Sequence, residues 1–400
     1  MKFAIIKEQK NPPDKRVVLP PSACRSLLKI FPEMEIKVES SENRTFTDSS
    51  YKKIGIEVTN NIDDCDVMLG VKEVPKEALI PNKKYFFFSH TIKEQPYNRA
   101  LLRAALDKNI ELYDHEVITD QKGVRLVAFG RYAGIVGAYN ALRTYGLKNN
   151  LFELPKAQAL HDQQELIAEL KKIKLPNIKI VLTGKGRVSN GAKEMLDAMG
   201  IKEVGVEDYL QKEFEEAVYT QIDVLDYNKR IDGKIIDMYD FFNNPTDYKS
   251  DFMRFAKVSD VYIACHFYGT GAPFIFTREE AKDPDFRIKV IADVSCDIDG
   301  PVASTIRPST IADPIYGYDA MAEKEINFLN EKAIAVMAVD NLPNELPKDA
   351  SLGFGDNFVK HVIPSFFNGD KDGILERARM TQNGKLTKNF SYLQDFIDGK

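Results

Sequence analysis

Ile178 to Gly200 reads IKIVLTGKGRVSNGAKEMLDAMG. An apolar run of strand character, 178–184, leads straight into Gly184-Lys185-Gly186-Arg187-Val188-Ser189-Asn190-Gly191, and that loop opens a helical pattern. Strand, glycine loop and helix in this order form the outline of a dinucleotide site. The first glycine permits a tight turn, and the second lets backbone approach a pyrophosphate. The helix start supplies unpaired N–H groups and the positive end of the dipole. Gly184, Gly186, Arg187 and Val188 are therefore cofactor-binding candidates. Ser189 takes the usual place of a third glycine and is small enough to keep helix and strand close. An ordinary strand-to-helix turn has the same outline, so the loop alone does not decide.

The carboxylate that reads the ribose is expected about 20 residues further on, at the end of the second strand. KEVGV at 202–206 reads as that strand, which makes Glu207 the candidate. Lys185 and Arg187 would suit a 2′-phosphate, so NAD and NADP both stay open.

Outward from this stretch, strands alternate with helices. KFAIIKE at 2–8, EIKVE at 35–39, DVMLGVKE at 66–73, YFFFSH at 85–90 and IELYDHEVI at 110–118 read as strands before it. DVYIACHF at 260–267, IKVIADVSC at 288–296 and KAIAVMAVD at 332–340 follow it. Pro20-Pro21-Ser22 opens a helix, with Ser22 as its cap, and 98–109 is amphipathic at helical spacing. The segment 129–149 carries Ala133, Gly134, Ala138 and Ala141, small residues that predict a long helix joining or packing two domains. Such alternation predicts an α/β protein with two Rossmann-like, doubly wound parallel domains and the active site in the interdomain cleft. The expected division is 1–130 plus about 341–400 for the substrate domain, and 131–340 for the NAD(P)-binding domain.

Composition narrows the function classes. Four hundred residues with 44% apolar and 29% charged side chains make an ordinary folded chain of two domains. The net charge of −5, with cations spread along the chain, excludes a nucleic-acid partner. Cys24, Cys65, Cys265 and Cys296 form no C-x-x-C pair and suggest no metal site, only reduced thiols. MKFAIIKEQK is too charged for a signal peptide, and no run is long enough for a membrane helix. A cytoplasmic location without membrane attachment is the expectation, and self-association stays open.

Chemistry on an amine needs proton-transfer groups that titrate near neutrality. Lys72 in GVKEVP and His90 in FFFSHT both stand at the C-terminal ends of strands, where open parallel sheets bind ligands. They are the catalytic candidates, against the plainer reading of a surface lysine and a capping histidine. Arg16 is a candidate carboxylate clamp. Lys93 and Gln95 follow His90 and can line the same cleft. His115 alternates with Asp114 and Glu116 and should face opposite to them. Arg131 is the one charge in an apolar run. Asp293 and Asp297 end a strand and can meet cofactor or substrate. His161, His266 and His361 read as structural.

These residues also carry a resemblance. GVKEVP, YFFFSHTIKEQ, YDHE, GVRLVAFGRYAG, VLTGKGRVSNGA, DVSCDIDG, VDNLPNELPKDAS and FGD at 354–356 closely resemble the lysine–ketoglutarate reductase part of the bifunctional α-aminoadipic semialdehyde synthases. More distantly they resemble the lysine-forming saccharopine dehydrogenases and the alanine dehydrogenase/transhydrogenase group. The resemblance implies a reversible reaction in which L-lysine and 2-oxoglutarate condense to an imine that NAD(P)H reduces to saccharopine. It implies Lys72 and His90 as the acid–base pair. Arg16, Lys93, Gln95, Glu116 and Asp297 match positions implied to bind substrate carboxylates and support the catalytic pair, and Gly184, Gly186 and Arg187 match the cofactor loop. By their place in the sequence alone, Arg131 is a further substrate candidate, and Val188, Glu207 and Asp297 are cofactor candidates. Three departures stand out. Glu73 replaces an arginine of the closest reductases, Arg131-Tyr132 replaces Gln-Trp, and Gly205 stands where an acidic residue would meet the ribose. An alanine dehydrogenase-like deaminase is the alternative in the same class, and a nucleotide-binding regulator without turnover the alternative outside it.

Overall fold

β1 (Lys2–Ile5), β2 (Glu35–Glu39), β3 (Glu57–Thr59), β4 (Val67–Leu69), β5 (Lys84–Phe87) and β6 (Glu111–Asp114) form a sheet of order β3-β2-β1-β4-β5-β6. Every pairing in it is parallel. The computed structural model describes residues 1–400. It divides them into two units: Met1–Phe129 with Pro347–Lys400, and Gly130–Leu346. β4 and β5 are buried along nearly their whole length, as strands covered on both faces are, so they read as continuous apolar runs. The sheet builds outward through β2 and β3, then restarts with β4 on the other side of β1. That reversal leaves a crevice at the C-terminal ends of β1 and β4.

The carboxy-terminal segment completes the first unit. The helix Pro347–His361 brings Gly355 against the turn before the helix Pro21–Ile30; a Cβ there would lie 2.6 Å from Pro20. Its Phe354 and Phe358 pack on the ring of His115. Further on, Thr381 Oγ1 donates to the carbonyl of Ile110 and accepts from the amide of Leu112. Pro20, not Ser22, occupies the cap position of the helix Pro21–Ile30, with proline in the first turn, where no amide donor is needed.

The second unit is an eight-stranded sheet. Its strands are β7 (Lys179–Thr183), β8 (Lys202–Glu203), β9 (Val218–Ile222), β12 (Val261–Ala264), β13 (Val290–Asp293), β14 (Ile315–Asp319), β15 (Lys324–Ile326) and β16 (Ile334–Met337). A separate ladder of β10 (Asn228–Arg230) and β11 (Tyr248–Ser250) lies between β9 and β12 in sequence. The order is β15-β14-β16-β13-β12-β7-β9-β8, parallel except for β14 and β15 at one edge. The α/β, Rossmann-like reading of the sequence holds for both sheets.

The small residues of 129–149 do form a long helix, Gly130–Lys148. They let it approach the helix Arg187–Met199 backbone to backbone. A Cβ on Gly134 would lie 1.7 Å from the carbonyl oxygen of Val188, and one on Gly191 would lie 2.0 Å from that of Arg131. Close packing after the glycine loop is thus helix on helix and needs Gly191. Ser189 instead closes the loop, its Oγ donating to the carbonyl of Gly184 at 2.6 Å.

Candidate functional site

Lys72 and Glu73 follow β4, and His90 follows β5, so the sheet sets them side by side at its C-terminal edge. His90 adopts a left-handed conformation, φ 54°, unusual for a residue with a Cβ. Asp114, buried at the end of β6, holds it there. One oxygen of Asp114 accepts the amides of Ser89 and His90 and the hydroxyl of Ser89. The imidazole Nδ1 lies 2.6 Å from Glu73 Oε1, and Lys10 Nζ lies 3.0 Å from Glu73 Oε2. Burial alone would raise Glu73, but the bonds from His90 and Lys10 outweigh it and hold the carboxyl at about 2. An ionised carboxylate only accepts, so Nδ1 of His90 donates to it, and Nε2 is left as the proton-exchanging atom.

Lys72 is half-buried. Burial first, then the nearby Arg16 guanidinium and Lys10, lower its pKa against the pull of Asp14 and Glu73. A desolvated lysine beside another cation is the usual way to make an amine basic yet neutral enough to move protons.

Arg16 does not have the placement expected of a substrate clamp. It is 3% exposed, and its fork is taken by Asp14, with Nε to Oδ1 at 2.9 Å and Nη2 to Oδ2 at 2.6 Å. Its guanidinium also lies 4.2 Å from the Phe129 ring centre. Its effect is the positive charge it places near Lys72. Lys93 and Gln95 are exposed on the turns after His90, and Lys93 Nζ lies 3.8 Å from Glu116 Oε1. Arg125, which the sequence reading passed over, stacks 5.4 Å from the centre of the Phe88 ring. The strand alternation expected of His115 does not apply. The strand ends at Asp114, a 3₁₀ turn begins at His115, and both side chains are fully buried. Arg131 belongs to the second unit, where Glu194 takes its fork at 2.7 and 2.6 Å. It too is engaged with a carboxylate of the chain itself.

In the second unit β7 ends at the glycine loop. Gly184 has φ 92°, and a Cβ there would lie 2.7 Å from the carbonyl oxygen of Cys265, so glycine is required twice over. A Cβ on Gly186 would meet nothing within 4 Å, which marks open space above the loop. The helix starts at Arg187, with Val188 in its first turn. An open glycine before the start of a thirteen-residue helix fits a pyrophosphate.

Glu207 is a correction. The strand beside β7 is β9; β8 lies beyond it at the edge, and Glu207 is exposed in the helix Val206–Gln211 that follows. The residue ending the neighbouring strand is Asp223, half-buried, its carboxylate accepting the amide of Val224 and lying 4.0 Å from Lys185 Nζ. Gly205 follows the edge strand β8, one strand removed from β7. Asp297 is exposed after β13, while Asp293 is buried. Asp293 accepts from Thr305 at 2.7 Å, and burial pushes its carboxyl up to about 6.

A family model described as alanine dehydrogenase/PNT, N-terminal domain, matches residues 4–136. Similarity to curated proteins runs further. The α-aminoadipic semialdehyde synthase of Arabidopsis thaliana is 26% identical, over 97% of this chain and 41% of that protein. The mitochondrial one of Rattus norvegicus is 27% identical, over 100% and 48%. The chain thus spans about half the length of these relatives. The NAD(+), L-lysine-forming saccharopine dehydrogenase of Candida glabrata is 24% identical, over 95% of this chain and 98% of that protein. Among solved structures, an L-alanine dehydrogenase aligns with TM-score 0.66 at 17% identity, covering 100% and 99% of the two chains. The transhydrogenase from Sinorhizobium meliloti aligns with TM-score 0.61 at 14% identity, covering 97% and 99%. These two share the fold. No helix is long and apolar enough to cross a membrane.

Proposed function

We propose that the chain is a nicotinamide-dinucleotide oxidoreductase that interconverts saccharopine with L-lysine and 2-oxoglutarate through an imine. The observation that carries this reading is the placement of Lys72 and His90 at the ends of adjacent parallel strands, with Glu73 ionised against the imidazole. The names of the relatives supply the substrate class.

In the oxidative direction Lys72 takes the proton from the secondary amine, its neutral form favoured by burial and Arg16. When bound, the dinucleotide supplies the hydride acceptor. His90 Nε2 then serves the water that adds to the imine and the carbinolamine that collapses, while Glu73 keeps the ring oriented. Lys93 and Arg125 are the cations at the same sheet edge suited to substrate carboxylates, with Gln95 and Glu116 beside them. The loop Gly184–Gly186 with the start of the following helix holds the pyrophosphate, and Asp223 holds the ribose hydroxyls. A carboxylate there repels a 2′-phosphate, so NAD is preferred over NADP. Arg187 and Asp297 remain cofactor contacts in this reading, and Val188 supports the loop.

One absorbance assay tests it: L-lysine plus 2-oxoglutarate, run once with NADH and once with NADPH. Oxidation of NADH that needs both substrates is the expected result. Oxidation with pyruvate and ammonia instead would move the chain to an alanine dehydrogenase-like reaction, and nucleotide binding without turnover to a regulator.

A further inference from the structure

Glu8 leaves the end of β1 and reaches across the sheet's reversal point to the turn that carries Lys72. Its two carboxyl oxygens accept successive backbone amides, Val71 at 2.6 Å and Lys72 at 2.8 Å. The same turn is held at its other end. His115 Nε2 lies 2.9 Å from the carbonyl oxygen of Gly70. Burial pushes the pKa of His115 down to about 3, so the ring is neutral, and facing a carbonyl its Nε2 carries the proton. Gly70 lets the two strand exits come this close. A Cβ there would lie 2.9 Å from Ile6 Cδ1 and 3.6 Å from Glu8 Oε1.

We propose that Glu8 is a positioning residue for Lys72: its carboxyl oxygens fix the backbone of Val71 and Lys72, and so keep the lysine amine in its half-buried place near Arg16. The inference rests on the reading of Lys72 as the proton-transfer group. A merely space-filling residue would not need to be acidic. Loss of solvent, with Asp14 nearby, pushes the Glu8 carboxyl up to about 8 against the two amides, so the neutral acid prevails at pH 7 and an acidic residue here costs stability at that pH. The groups that set the charge around Lys72 are Arg16 and Lys10, which lower its pKa, and Asp14 and Glu73, which raise it. A turn released from Glu8 lets the amine move toward water, and its pKa then climbs toward that of an ordinary lysine.

The test reads Lys72 without turnover. The full chain is reductively methylated with carbon-13 formaldehyde, its lysines are titrated by NMR, and the Lys72 signal is assigned by its loss in Lys72→Met. In the unsubstituted protein that signal should titrate below the range of the exposed lysines. In Glu8→Gln, which keeps the length but loses one acceptor, it should move up by about half a pH unit or more, with the others unchanged. Glu8→Asp, too short to reach both amides, should shift the same way. A Lys72 signal that titrates alike in all three folded proteins overturns the proposal. So does loss of native circular dichroism in both Glu8 variants, since the residue is then structural. Because no substrate is present, failure here is separate from failure of the lysine and 2-oxoglutarate assay.

Discussion

Both sheets reverse their strand order beside their first strand, at β1/β4 and at β7/β12, and they differ in what stands at that reversal. In the first unit the ends of β1, β4 and β5 carry Glu8, Lys72, Glu73 and His90, with the buried Asp14–Arg16 pair adding its charges. In the second unit the end of β7 carries Gly184 and Gly186, a helix start and, one strand over, Asp223. One crevice is built of titratable side chains that bias each other's protonation. The other is built of backbone, where a missing Cβ matters more than any charge. The same fold therefore offers two kinds of site: proton transfer needs side chains with tuned pKa values, whereas a pyrophosphate needs amides and room.

The largest effect expected from this contrast is on turnover alone. Lys72→Met should lower kcat by about 10²–10⁴-fold and leave dinucleotide affinity within about twofold, measured by steady-state kinetics and fluorescence titration. Near-normal turnover would remove the chemical half of the comparison. Gly184→Ala should do the reverse. Its left-handed φ and the carbonyl of Cys265 make any Cβ strained, and dinucleotide affinity should fall by about 10–100-fold. Unchanged affinity would mean that the loop is an ordinary turn.

Glu73→Gln sharpens the first site. Glutamine can present its NH₂ to Nδ1, the imidazole loses its fixed tautomer, and kcat should fall by about tenfold. The pair also has a pH signature. The Glu73 pKa is depressed to about 2 in the folded protein, against about 4.3 in an unfolded chain. Its stabilisation is therefore complete above about pH 4.3 and disappears as pH falls through about 2. Melting curves across that window should be steeper in pH for the parent than for Glu73→Gln; parallel curves would refute the ionised assignment. The smallest effect belongs to Asp223→Ser, expected to weaken NAD binding by about fivefold and to narrow the gap between NAD and NADP. An unchanged gap would return the ribose assignment to another residue.

The strands bearing Lys72 and His90 were legible because buried parallel strands are short apolar runs, and VML and YFF announce them. β9 was less so. VYTQI places a threonine and a glutamine in a strand whose Thr220 is nonetheless buried, and without it the carboxylate search stopped one strand early, at Glu207. Arg16 and Arg131 looked alike as isolated cations. Whether a guanidinium meets a substrate or a neighbour's carboxylate depends on packing, and here Asp14 and Glu194 claim them.

By itself the sequence determined two α/β units, a glycine loop between a strand and a helix, and a lysine and a histidine at strand ends. Those are local properties, set by period, turn chemistry and glycine. Only the tertiary structure decided which strand adjoins which. That order turns Asp223 into the residue beside the loop and brings the Val71 and Lys72 amides to Glu8 across more than sixty positions of chain. The physical reason is that strand order and burial come from pairing distant segments, and a charged side chain gains its meaning from the groups that pairing sets around it.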